Sequence, residues 1–146
     1  MFLMDMWRKY RKTVVAMSVV GAVLAAGCGG ALAEKLIAAD AIFYAPTQPE
    51  PLRGPKGYLS IVFMMRAAFS DIQWRLMDCV IEPNKMAVCW ECTGTHDGDF
   101  MGRPATGKPF KVRCMNFYEL RNNQFISDIG NPDILGILMQ TGMLQP

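Results

Sequence analysis

The sequence contains one histidine, His96, in 146 residues. A His-pair or His-rich metal centre is therefore excluded, and neither a metal nor a cofactor is implied. Five cysteines are an odd count and far too sparse for a disulfide scaffold. One CxxC occurs, Cys89-Trp90-Glu91-Cys92, but no second pair completes a zinc set. It lies in a strand-like run, which puts its two thiols on opposite faces. Charge is scarce at 19%, and 15 basic residues against 13 acidic ones leave a net charge of only +2. Such a balance carries no electrostatic footprint of nucleic-acid binding. Repeats and low-complexity tracts are also absent. What the chain has in quantity is apolar side chains, 51% of the total, which excludes intrinsic disorder. The length suits one domain with a real core.

The charge is unevenly placed. Residues 1–12 hold four basic groups and one acid, and residues 13–26 (TVVAMSVVGAVLAA) hold no charge. Without that head the chain has 11 basic and 12 acidic residues, a net of −1. A basic start before a 14-residue apolar run has the pattern of a secretory signal and is short for a membrane span. It runs into Leu24-Ala25-Ala26-Gly27-Cys28, which resembles a bacterial lipobox with its leucine displaced by one position. Two readings stand for residues 1–30: a signal or lipid anchor, favouring an exported or membrane-anchored protein, or the first helix of a cytoplasmic domain. In the first case membrane contact is through this segment alone. Residues 31–146 form the domain proper.

Within the domain, spacing predicts a helix over 31–39, a strand over 41–45 stopped by Pro46, and a proline-rich loop from Pro46 to Pro55. A second helix is expected over 57–69, entered through Gly54-Pro55. Strands follow over 72–82, 86–95, 109–121 and 124–130, with turns at Pro83-Asn84-Lys85 and Arg121-Asn122-Asn123. A last short helix over 133–141 opens behind Pro132. Helices followed by antiparallel strands make an α+β fold, a curved sheet wrapped over helices as an open cone.

Thr93-Gly94-Thr95-His96-Asp97-Gly98-Asp99-Phe100-Met101-Gly102 and Pro104-Ala105-Thr106-Gly107-Lys108 together resemble the core signature of SnoaL-like polyketide cyclases, of the nuclear-transport-factor-2-like superfamily. Leu52-Arg53-Gly54-Pro55-Lys56-Gly57, Arg66-Ala67-Ala68-Phe69-Ser70-Asp71 and Leu135-Gly136-Ile137-Leu138 with Gly142 add to the likeness, which spans residues 31–144. The resemblance implies a cone-shaped α+β barrel, a homodimer formed through the sheet, and a pocket for a small hydrophobic or aromatic molecule. It also implies an acid/base residue on one of the last two strands. Those family positions fall here on Asn116 and Gly130, with Ile129 where a Trp is usual. The base position of related ketosteroid isomerases falls on Ala45. None of the three titrates near neutral pH.

The leading expectation is thus a ligand-binding domain without the usual cyclase pair. An enzymatic alternative uses Asp128 as base, on the same strand face as Gly130, with Asn116 as polarising donor. A third reading is a dimerisation module whose cone is packed shut. His96, in a glycine-flanked turn, fits a structural hydrogen bonder better than a catalyst. Alternation places Val88, Trp90 and Cys92 inward on one strand and Val112, Cys114, Asn116 and Tyr118 inward on the next. Tyr44, Phe63, Met64 and Trp74 are expected to close the pocket.

Overall fold

The computed structural model describes residues 30–144. The expectations for the N-terminal segment fall on residues outside that range. Helix α1 (Gly30–Leu36) leads into strand β1 (Ile37–Tyr44), the two-residue β2 (Leu52–Arg53) and the long helix α2 (Gly54–Ala68). Strands β3 (Gln73–Glu82), β4 (Lys85–Thr95), β5 (Pro109–Arg121) and β6 (Gln124–Pro132) follow, then α3 (Ile134–Gln140). The six strands form one curved sheet in the order β2-β1-β6-β5-β4-β3. All neighbours are antiparallel except β1 and β6, which run parallel. Helix α2 packs on β1, and α3 packs on β5. Among the described residues no helix is long and apolar enough to cross a membrane.

Most of the sheet follows local chemistry. β4 and β5 alternate buried and exposed residues along their length, the mark of a sheet with one face on a core. Asn122 and Asn123 both take positive φ, 53° and 63°, giving the two-residue turn whose twist matches an antiparallel hairpin. Two differences from the expected elements have tertiary causes. The first helix stops at Leu36 instead of continuing to 39, because Ile37 already pairs with Phe125 of β6 and is buried there. The second helix starts at Gly54, with Arg53 as an extended N-cap and Pro55 in the first turn, where a missing N–H costs nothing.

The glycine-rich loop between β4 and β5 is tied down from three sides. The Asp71 carboxylate accepts from Thr95 N at 2.7 Å and Thr95 Oγ1 at 2.8 Å. Asp97 accepts from Ser70 N at 2.9 Å and from the Ser70 hydroxyl, and these bonds hold its carboxyl below the usual range. His96 is fully buried. Its Nδ1 accepts from Thr106 N at 3.2 Å, so the ring proton sits on Nε2, and its backbone N–H donates to Lys108 O at 3.0 Å. Its ring lies 5.6 Å from that of Phe69. His96 therefore fastens the loop onto the core and lies outside the cavity described below.

Gly98 closes this arrangement. Its N–H donates to Ala68 O at 3.0 Å, and a Cβ there would sit 1.9 Å from Ala67 O. The obstacle is backbone at the end of α2, so it cannot step aside. Gly98→Ala is expected to destabilise the fold by about 2 kcal/mol or more, read as a lower urea midpoint at unchanged slope. An unchanged midpoint would show that the end of α2 is free to move.

Candidate functional site

A cavity of about 520 Å³ lies between α2, the concave face of the sheet and α3. Trp74, Trp90, Cys92, Cys114, Asn116, Tyr118, Asp128 and Gly130 contribute from the sheet. Tyr44 and the following Ala45–Gln48 loop, with Met64 and Met101, lie nearer the mouth and are more exposed. Trp74, Trp90 and Met64 border the space and do not fill it. Val88 and Val112 are buried in the core beside the cavity without bordering it, and Phe63 is 58% exposed on the other side of α2.

The helical side was misphased in the sequence. Residues 61–65 are apolar without interruption, so periodicity does not say which of them face inward. The buried stripe runs through Tyr58 and Val62 to the partly buried Met65, a spacing of four and three, and all three border the cavity. Tyr58 is the main functional candidate that sequence reasoning passed over.

Apart from Tyr58 on α2 and the Tyr44–Gln48 segment near the mouth, the polar side chains of the wall cluster on β5 and β6. Register sets Asn116 opposite Gly130 and Tyr118 opposite Asp128. Asn116 Nδ2 donates to Asp128 Oδ1 at 2.8 Å. Gly130 leaves room for that amide, since a Cβ there would stand 2.7 Å from Asn116 Nδ2. Asp128 is 7% exposed. Burial pushes its carboxyl up to about 6, and the hydrogen bond from Asn116 opposes the rise. Burial first, and then the charge of Asp128, keeps Tyr58 and Tyr118 neutral phenols far above neutrality.

The two cysteines of the CxxC do not converge on one site. Cys89 pairs with exposed Met115 while Cys92 pairs with buried Val112, so the CxxC thiols point to opposite faces. A hydrogen bond with Cys114, together with burial, pushes the Cys92 thiol up and leaves it an apolar wall atom. Among the described residues no group of three or more His, Cys, Asp or Glu could hold a metal ion.

A family model described as SnoaL-like polyketide cyclase matches residues 26–141. The chain belongs to this family. Solved structures agree in fold. TsrD from Streptomyces laurentii has a TM-score of 0.81 at 21% identity, covering 92% of this chain and 97% of that one. IdmH from Streptomyces antibioticus has a TM-score of 0.76 at 25% identity, covering 88% and 97%. A protein of ketosteroid-isomerase-like fold from Catenulispora acidiphila, in complex with trimethylamine, has a TM-score of 0.73 at 15% identity, covering 90% and 97%. No curated protein matches in sequence. The family acid/base positions mapped onto Ala45, Asn116 and Gly130 all border the cavity of this SnoaL-like protein. The titratable group on that wall is Asp128, two residues from Gly130.

Burying a carboxylate this way has a thermodynamic signature. The folded-state value, about 6, lies above the ordinary 3.8, so the folded protein holds this proton more tightly than the unfolded chain. The resulting stability is fully present below pH 3.8 and is lost as pH rises through about 6. The full span is about 3 kcal/mol. Asp128→Asn is therefore expected to unfold at higher urea than the native protein at pH 8, with the advantage shrinking to nothing near pH 4. Parallel pH profiles for the two proteins would mean that Asp128 is not buried as described.

Proposed function

We propose that this protein binds a flat, apolar, carbonyl-bearing molecule of polyketide type and moves a proton next to its carbonyl, with Asp128 as the base. The observation that carries the reading is a carboxylate in the wall of an apolar cavity, its pKa at about 6. A base with that value is ionised at neutral pH yet still basic enough to accept a proton. Asp128 takes a proton from the carbon beside the carbonyl, and the C–H electron pair moves onto the carbonyl oxygen as an enolate. In a cyclisation the enolate carbon then attacks a second carbonyl of the same molecule. The new alkoxide recovers the proton from Asp128, leaving the enzyme unchanged. Asn116 gives one amide hydrogen to Asp128 and so aims the carboxylate, and its second hydrogen supports its role as polarising donor to the carbonyl.

A suitable probe is 2-tetralone, a two-ring ketone with an acidic C–H beside the carbonyl. Deuterium exchange at that carbon, followed by proton NMR in heavy water, is expected to be accelerated by the protein. The rate should rise with pH through a midpoint near 6. Asp128→Asn should reduce it by about 100-fold or more. Equal exchange in the variant would leave a binding protein without this chemistry.

The outer face of the sheet supports a second copy of the chain as partner. Register lines up Ile129, Phe117, Ala87 and Val80 in one row across four strands. Ile129 is 55% exposed, Val80 66%, and neighbouring Met115 60%. An apolar row of this kind on the convex side suits a self-complementary interface. Light scattering on the purified protein is expected to give twice the chain mass. Phe117→Lys, which leaves the cavity side untouched, should halve it. A monomeric native protein would remove the proposal.

A further inference from the structure

Proton abstraction beside a carbonyl needs a donor for the oxygen that becomes negative, and Asn116 and Tyr118 share the sheet wall with the base itself. Asn116 gives one of its two amide hydrogens to Asp128 at 2.8 Å. Tyr118 stands directly across the strand ladder from Asp128. Tyr58 is different. It is 7% exposed, it borders the same cavity, and its hydroxyl makes no hydrogen bond among the described residues. Its oxygen is not sealed in the core but opens on the cavity, where its donor is free to meet a ligand. Its ring is fixed, tilted against Phe43 with centroids 5.2 Å apart, so the hydroxyl is held in place by packing. It stands across the cavity from the sheet, on α2, near enough to Asp128 to feel its charge.

From these contacts we infer that Tyr58 donates a hydrogen bond to the ligand's carbonyl oxygen, on the opposite side of the bound molecule from Asp128. The inference rests on the proton-transfer reading for its catalytic part and stands alone as a statement about ligand binding. The ligand class is a neutral ketone or diketone with its carbonyl one bond from an acidic carbon. As Asp128 takes the proton, the electron pair collects on the oxygen and the hydrogen bond from Tyr58 strengthens. The phenol keeps its own proton throughout.

Tyr58→Phe removes one oxygen and retains the ring against Phe43, so the wall keeps its shape. Two measurements separate the two layers of the inference. In the 2-tetralone exchange assay the variant is expected to lose 10- to 100-fold in kcat, with KM rising only as far as ground-state binding weakens and the pH midpoint still near 6. In fluorescence titrations the variant should bind 2-tetralone about five- to tenfold more weakly. Tetralin, the same skeleton without oxygen, should bind within about twofold of its native affinity. Unchanged kcat in Tyr58→Phe overturns the catalytic role. A loss in Tyr118→Phe but not in Tyr58→Phe overturns the assignment to Tyr58. Equal weakening toward 2-tetralone and tetralin overturns the donor role, because it would report lost packing. If the native protein exchanges nothing while the carbonyl-specific loss persists, Asp128 is not the base and Tyr58 is a recognition group only.

Discussion

Asp128 reaches the cavity because strand β6 carries one extra residue. Leu120 pairs with Phe125, but Glu119 pairs with Ser127, so Ile126 is passed over in the ladder. Phe125 and Asp128 are both buried on the concave side although they are three residues apart. On an unbroken strand they would point to opposite faces. The bulge re-aims the last part of β6, and the inward aim of Asp128 depends on that change of phase. It sets Asp128 opposite Tyr118 and Gly130 opposite Asn116. It also turns Ile129 outward, into the exposed row on the convex face.

Once the carboxylate is inside, its surroundings are arranged around it economically. Gly130 clears space for the Asn116 amide, and the amide fixes one carboxylate oxygen. These are backbone-anchored strand residues, and strands hold a site more rigidly than loops do. The glycine-rich loop that marks the family sits elsewhere. Its His96, Asp97 and Gly98 fasten the β4–β5 connection to the end of α2, which accounts for a conspicuous motif holding no reacting group. The tethered loop and the polar cluster of the cavity are thus separate parts of the molecule.

Much of this was legible in the residues. The alternation of β4 and β5 picked out Trp90, Cys92, Cys114, Asn116 and Tyr118 as inward-facing, and the paired asparagines marked the tight turn. Strand 109–121 has the same bounds in sequence and structure. Helix α2 was harder, since an unbroken apolar run from Ile61 to Met65 hides its own phase. That is why Phe63 was drawn to the pocket and Tyr58 was overlooked. The end of α1 was set by β6, a partner almost ninety residues away, which no local pattern reports. The bulge at Ile126 has no signature of composition either. Asp128 was placed beside Gly130 by simple alternation within their short segment, where the strand is regular.

A buried carboxylate in a largely apolar wall also links occupancy to acidity. A neutral ligand that fills the cavity expels water from around Asp128 and removes the solvation that remains to its charge. The carboxylate then holds its proton more tightly, so filling the cavity draws a proton in from solution near neutral pH. The same coupling acts in reverse, and a more acidic medium tightens the grip on neutral ligands. On the proposed function, the charge of Asp128 and the occupancy of the cone would be set together by the surrounding pH.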